Sequence, residues 1–167
     1  MNEQRTDAVD IIAEQWSRER PDLDNESMAI LGRLGRLMTV GTAKVDSVFT
    51  AHGLQRGEFD VLATLRRSGE PYELSPSALA DTLMMSRAGM TSRLDRLERA
   101  GLVRRTADSG DRRSIRIAFT DRGRRLIDIV VSEHFENETQ ILSALSPADR
   151  KTLDRIVRLL LAHLEED

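Results

Sequence analysis

Positive charge is concentrated in one stretch of this 167-residue sequence. Between Ser86 and Arg125 the chain has twelve arginines and five acidic residues, a net charge of +7. Because the whole chain carries −3, the remainder carries −10. Phosphate neutralisation depends on local rather than total charge, so this segment predicts a nucleic-acid-binding surface. A solvated charged face without a ligand is the alternative interpretation.

The start of the basic segment has the pattern of an amphipathic helix, which we expect over residues 85–100. At about 100° per residue, Met90, Leu94 and Leu97 share one side and leave small and polar side chains on the other. Small residues let a backbone approach a major groove, while hydroxyl and guanidinium groups bind phosphates or base edges. The side chains predicted to contact DNA from this helix are Ser86, Arg87, Ala88, Gly89, Thr91, Ser92, Arg96 and Arg99. An ordinary surface helix with an ion pair from Asp95 to Arg99 is the alternative.

The next residues indicate a β-hairpin. Residues 102–106 and 114–119 are strand-like, and Ser109-Gly110-Asp111 between them is typical of a turn. Arg112 and Arg113 lie at its tip. We predict that both reach a minor groove, where the negative potential attracts cations.

Helical patterns cover most of the remaining chain. The predicted fold is mainly α with a small β-hairpin, a winged helix-turn-helix with N- and C-terminal dimerisation helices. We divide it into N-terminal helices (1–53, dimerisation and one wall of a ligand pocket), a winged helix-turn-helix DNA-binding domain (54–125) and C-terminal dimerisation helices (126–167). The terminal helices carry more apolar surface than a small winged domain can cover, so we expect them to pair with a second copy of the chain.

Several classes of protein are disfavoured by the composition. The absence of cysteine excludes disulfides, thiol redox sensing and thiolate metal sites. No apolar run approaches the roughly 20 residues of a membrane span and no apolar signal core precedes the first helix, so we expect a cytoplasmic protein. His52, His134 and His163 are far apart, and we expect no metal site and no cofactor. An enzyme acting on a small anion is the less supported class, because nothing positions a nucleophile.

The stretch from about Leu54 to Arg125 resembles the MarR-type transcriptional regulators. The matching motifs are Glu58-Phe59-Asp60-Val61-Leu62, Ser77-Ala78-Leu79-Ala80, the run from Thr91 to Arg105, Asp111-Arg112-Arg113 and Phe119-Thr120-Asp121-Arg122-Gly123. The resemblance implies a homodimer whose two lobes insert recognition helices into successive major grooves of double-stranded DNA at a pseudo-palindromic operator. It further implies repression that a small molecule relieves. An adaptor that binds an acidic protein partner is the alternative.

Two arginines of the basic segment can face inward. Arg93 lies roughly 65° from the centre of the helix's apolar side, and Arg105 shares a strand face with Val103. Inward-facing arginines need an anion, which Asp60 can supply when no ligand is bound.

The first helix, with Trp16, and the long second helix are similar to those of the urate-responsive, PecS-like or UrtR-like subgroup of the family. In that subgroup the effector is urate, and the resemblance implies a site for this small anion formed by Trp16, Asp60, Arg93 and Arg105. A flat urate ring suits Trp16, and its negative charge suits the arginines. Another aromatic or phenolic anion is one alternative. In the other, Trp16 is a core residue, both arginines contact phosphates and Asp60 is a surface acid.

Overall fold

The computed structural model describes residues 6–107 and 114–166 of the chain. Their helices are α1 (Ala8–Glu19), α2 (Glu26–Ala51), α3 (Arg56–Arg67), α4 (Pro76–Thr82), α5 (Arg87–Arg99), α6 (Asp121–Ile141) and α7 (Pro147–Glu165), with a 3₁₀ turn at Leu142–Ala144. The strands are β1 (Glu73–Leu74), β2 (Val103–Ala107) and β3 (Ile115–Phe119). The chain forms two compact units, Met1–Lys44 and Val45–Asp167.

Local sequence signals set the helix boundaries. Ser75, Ser86, Thr120 and Ser146 each accept a hydrogen bond from a backbone amide three residues later, so they cap α4, α5, α6 and α7. Gly101 follows α5 with a φ of +67°, in the left-handed region that terminates helices. The predicted order of helix, short turn, helix and hairpin is therefore confirmed.

The first unit pairs α1 with the beginning of α2. Asp7 caps α1, and Arg33 of α2 forms ion pairs with Asp7 at 3.0 Å and with Asp10. Asn25 donates a hydrogen bond to the hydroxyl of Ser17 at 2.8 Å. These contacts join the two helices through polar groups, while most of their apolar side chains stay exposed.

The second unit contains the main hydrophobic core. Its fully buried side chains come from the end of α2, from α3, α4, α5 and β3, and from the first half of α6: Phe49, Val61, Leu62, Leu65, Leu79, Met90, Leu94, Leu97, Ile117, Ile127 and Val130. Met90, Leu94 and Leu97 form the predicted apolar side of α5, so core packing fixes which side of α5 faces outward.

The sheet has three strands in the order β1-β3-β2, all antiparallel. Val103 pairs with Phe119 and Arg105 with Ile117, which confirms the hairpin. The sequence did not predict β1, whose Glu73 and Leu74 pair with Ala118 and Ile117. Two residues are too few to show an alternating pattern, and the strand exists because the edge of β3 offers backbone partners.

The C-terminal helix leaves a large apolar surface uncovered. Apart from Leu153, which is partly buried, its large apolar side chains are exposed in the single chain: Ile156, Val157, Leu159, Leu160, Leu161 and Leu164. Within the described part of the chain, no helix is long and apolar enough to cross a membrane.

Candidate DNA-binding surface and anion site

The outward side of α5 carries most of the residues predicted to contact DNA. Ser86, Arg87, Ala88, Thr91, Ser92 and Arg99 are exposed, whereas Gly89 is partly buried beside the side chains of Ser86 and Met85. Arg87 makes no ion pair or hydrogen bond with its side chain among the described residues. Within the described ranges, this surface therefore offers an unpaired guanidinium, hydroxyl groups and small side chains to a ligand in solution.

Arg96 departs from the prediction that it belongs to this surface. Its Nε donates to Glu58 Oε1 at 2.8 Å, and its Nη2 donates to Gln55 Oε1 at 3.3 Å. The side chain of Glu58 is only 10% exposed and also accepts from the backbone amide of Gln55. Arg96 lies three residues after Arg93, on the side of α5 that faces α3, so its charge is neutralised within the protein.

Arg93 turns towards α3, as its helical position predicts. Its Nη1 lies 2.7 Å from the sulfur of Met85. Its guanidinium covers Gly57 so closely that a Cβ atom at that position would overlap it. Arg93 is thus held at the α3–α5 contact and away from the exposed side of α5.

Asp60 of α3 is half-buried near this arginine. Burial raises the pKa of its carboxyl, and the positive charges of Arg56 and Arg93 partly offset that effect. No ion pair to its carboxylate is present among the described residues. Asp60 and Arg93 therefore place a negative and a positive group near each other at the α3–α5 contact.

Arg105 has different partners from those that the sequence suggested. Its Nη2 lies 2.5 Å from Asp95 Oδ1, its Nη1 pairs with Glu98, and its backbone amide also donates to Glu98. Asp95 and Glu98 lie about 140–160° around α5 from Arg93. The described chain therefore does not bring Arg93 and Arg105 to one common anion, and Arg105 instead ties β2 to α5.

Three further predicted site residues do not belong to the described part of the second unit. Trp16 belongs to the first unit, where this residue is 47% exposed. Arg112 and Arg113 lie outside the described residues. In the described ranges, no group of three histidine, aspartate or glutamate side chains could hold a metal ion.

A polar cleft that the sequence did not reveal opens beside the first turns of α5. Its cavity of about 380 Å³ is lined by Ser75, Pro76, Ser77, Arg87, Thr91, Ser114 and Ile115. The start of α4, the start of α5 and the base of β3 form its walls. The serines belong to segments that are distant in sequence, and only the folded chain brings them to Arg87.

Together these elements define a winged helix-turn-helix protein. The second helix of that motif is α5, whose solvent-facing side is basic. Residues 52–114 match the MarR family model. Over 156 residues the chain is 47% identical to the HTH-type transcriptional regulator PecS of Dickeya dadantii, covering 93% of this chain and 94% of that protein. It is also 31% identical to the transcriptional repressor MprA of Escherichia coli K12, over 72% of this chain and 68% of the relative. The chain belongs to the MarR family of DNA-binding transcriptional regulators, which are not enzymes.

Solved structures agree with this assignment. The fold matches the MarR-family regulator AbsC of Streptomyces coelicolor with a TM-score of 0.71 and 25% identity, over 87% of this chain and 97% of that one. It matches Sco3205 of the same organism, solved in complex with DNA, with a TM-score of 0.72 and 22% identity, over 85% and 89% of the two chains. The latter likeness supports the fold alone.

Proposed function

We propose that this regulator is a homodimeric, sequence-specific transcriptional repressor whose affinity for DNA falls when a small anion, urate, binds. The observation that carries the DNA-binding part is the outward side of α5. There, six of the eight predicted contact residues are exposed, while the opposite side is fixed in the core. Such a helix enters a major groove with its small residues closest to the bases. The DNA complex of the structural relative Sco3205 is consistent with this use of the fold.

The uncovered side of α7 supports the dimer. In the single chain, Leu160, Leu161 and Leu164 are exposed, and apolar surface of this extent marks an interface. Two copies related by a two-fold axis would present two α5 helices to half-sites about 10 bp apart, which requires a pseudo-palindromic operator.

The effector part of the proposal rests on Asp60 and Arg93. A carboxylate whose ionisation is disfavoured by burial can be replaced by a ligand anion that uses the neighbouring guanidinium. Because α5 carries Arg93, such an exchange would move or loosen the helix that contacts DNA. We propose Trp16 as the aromatic partner of the ring, and Arg105 as a group that joins the site only after it leaves Asp95 and Glu98.

DNA binding is tested with a duplex from the region upstream of the protein's own gene. We expect the affinity to fall by about 10³-fold or more between about 50 and 200 mM salt, as for a protein that neutralises six or more phosphates. Footprinting should protect two half-sites of that duplex. Weak binding without salt dependence would contradict the proposal and favour the adaptor that binds an acidic protein.

The effector is tested by titrating urate against the DNA complex. A coupling free energy of about 1 to 3 kcal/mol would weaken DNA binding roughly 5- to 150-fold. The Arg93→Ala protein should lose this response, and Arg104→Ala, which removes an exposed arginine next to Arg105, should keep it. An unchanged affinity at millimolar urate, or a normal response of Arg93→Ala, would show that the site is assigned wrongly.

A further inference from the structure

Two adjacent methionines, Met84 and Met85, lie in the turn between α4 and α5. Met84 has a φ of +50° and is 93% exposed. Met85 is partly buried and packs against the hydrophobic core, and its backbone amide donates to the carbonyl of Ala80 at 2.9 Å. The turn therefore leaves one methionine side chain in solvent and packs the next one into the protein.

The side chain of Met85 contacts α5 at two successive turns. Its terminal methyl group lies 3.3 Å from the position that a Cβ atom would take at Gly89. Its sulfur accepts a hydrogen bond from Arg93 Nη1 at 2.7 Å, and Arg93 also covers Gly57 of α3. Ser86, the next residue, caps α5. A change in the Met85 side chain therefore acts directly on the first turns of α5 and on the α3–α5 contact.

The thioether of Met85 can be oxidised by hydrogen peroxide, and the sequence has no cysteine thiol that would react first. A lone pair of the sulfur attacks one oxygen of the peroxide, so that an S–O bond forms and the O–O bond breaks. The sulfur loses two electrons, and the peroxide is reduced to one molecule of water. The product is a sulfoxide, a polar group that methionine sulfoxide reductases convert back to the thioether.

A sulfoxide at Met85 is incompatible with the contacts that the thioether makes. Because Arg93 Nη1 lies 2.7 Å from the sulfur, an oxygen atom cannot enter between them unless the guanidinium moves. Oxidation also makes the end of the side chain polar, which weakens its packing against the core. Both changes loosen the turn between α4 and α5 and the beginning of α5.

We propose that Met85 is an oxidation site through which a peroxide lowers the affinity of this regulator for DNA. The beginning of α5, which Met85 supports, carries Arg87 and Ala88 on its exposed side. A displaced α5 presents these residues to DNA in the wrong position. The inference goes beyond the proposed response to urate, because oxidation is a covalent signal that needs no ligand at Asp60 and Arg93.

The test treats the full-length protein with hydrogen peroxide and measures its affinity for the duplex from the region upstream of its own gene. Peptide mass spectrometry identifies the methionines that have gained an oxygen. We expect the affinity of the wild-type protein to fall about 10-fold or more once Met85 is converted, within the usual range for coupling between two sites. Met85→Leu has a similar apolar volume and cannot be oxidised, so it should keep its affinity after the same treatment. Met84→Leu is the matched control and should lose affinity as the wild type does.

Two further measurements separate oxidation of Met85 from general damage. Methionine sulfoxide reductases A and B should restore the DNA affinity of the treated wild-type protein. Without any treatment, Met85→Gln places a polar group of similar length at the site and should bind DNA as weakly as the oxidised wild type. Met84→Gln should bind like the untreated wild type. If circular dichroism shows that Met85→Gln does not fold, the comparison of Met85→Leu with Met84→Leu still decides.

Three results would overturn the inference. In the first, Met85 stays reduced under conditions that fully convert Met84. In the second, Met85 is converted and the affinity for DNA is unchanged, and in the third, treated Met85→Leu loses as much affinity as the wild type. The urate response is measured on the untreated protein, so none of these results bears on it. A regulator that ignores urate but loses DNA affinity when Met85 is oxidised would support this inference and contradict the effector proposal.

Discussion

The folded state disfavours the ionised carboxylate of Asp60. Burial raises the pKa of its carboxyl above the ordinary 3.8, so the folded chain holds the proton more tightly than the unfolded chain does. A raised pKa of this kind contributes stability below pH 3.8, and that contribution is lost as the pH rises through the folded-state value. We therefore expect Asp60→Asn to be more stable than wild type near neutral pH. Because Asp60 is only half-buried, solvent screening limits the gain to less than about 1 kcal/mol.

Thermal unfolding as a function of pH measures this difference, which should vanish as the pH falls below 3.8. Asp128 provides a control of opposite sign. A hydrogen bond from Arg66 lowers the pKa of its carboxyl, so Asp128→Asn should lose stability at neutral pH, and that loss should fade as the pH falls. An Asp60→Asn protein that is less stable than wild type at pH 7 would mean that attraction to the arginines exceeds the cost of burial.

A substitution at Gly57 can displace the Arg93 side chain without changing the charge of the protein. A Cβ atom at Gly57 would overlap the Arg93 guanidinium, which is the end of a flexible side chain and can move aside. We expect Gly57→Ala to keep or slightly raise the melting temperature, since alanine favours a helix over glycine by about 1 kcal/mol. The response of DNA binding to urate should nevertheless shrink, because Arg93 has left its place beside α3.

A double-mutant cycle on DNA affinity without urate checks that Gly57→Ala acts only through Arg93. In an Arg93→Ala background, which already lacks the urate response, Gly57→Ala should leave the affinity for DNA unchanged. A change of DNA affinity in that background would place the effect of the added methyl group elsewhere in α3.

Single residues show where sequence-based prediction was sufficient. Ser86 and Thr120 were predictable as caps because a cap depends on the next three residues of the chain. The inward turn of Arg93 followed from helical geometry alone. The partners of Arg96 and Arg105 could not be predicted, because Glu58 lies 38 residues away from Arg96 and the Arg105 contacts depend on how β2 crosses α5.

At the scale of elements, α6 is joined to the wing through Gly123. Its Cβ position is occupied by the backbone carbonyl of Leu102, just before β2. Thr120 adds a hydrogen bond from its hydroxyl to the carbonyl of Gly101 at 2.7 Å. The start of α6 and the end of the α5–β2 turn are therefore packed backbone against backbone.

We expect Gly123→Ala to destabilise the protein by about 1–3 kcal/mol or more, since a backbone carbonyl cannot step aside as a side chain can. Denaturant unfolding followed by circular dichroism measures this change. Gly57→Ala serves as the matched glycine-to-alanine control in a helix. Equal stability of the two variants would show that α6 can shift away from Leu102 at little cost.

Elements also differ in how far the sequence determined them. The helices and the hairpin carried enough residues to show their period, and their order alone indicated a winged helix-turn-helix. The strand β1 and the polar cleft had no such signal. Both arise where separate segments meet, β1 against the edge of β3 and the cleft between α4, α5 and β3.

At the scale of the whole molecule, the proposed dimer binds DNA more tightly than one winged lobe does, because it joins two DNA-binding surfaces. On α7, residues Leu153, Ile156, Val157, Leu160 and Leu164 recur at a helical spacing and share one side, whereas Leu159 lies about 100° away from Leu160. Both Leu159 and Leu164 are exposed in the single chain, with exposed fractions of 60% and 69%. The two positions therefore separate the effect of the shared side from that of general hydrophobicity.

We expect the double variant Leu160→Asp/Leu164→Asp to be a monomer. At a two-fold interface the new carboxylates of the two copies would be buried close together without a positive partner. Light scattering after size-exclusion chromatography reads the mass, and the variant should bind a two-half-site operator about 10²-fold or more weakly while its binding to an isolated half-site stays unchanged. Leu159→Asp should remain dimeric and bind both duplexes like wild type. A dimer that survives the double substitution would place the interface elsewhere, whereas a monomer with undiminished operator affinity would show that each winged lobe binds DNA independently.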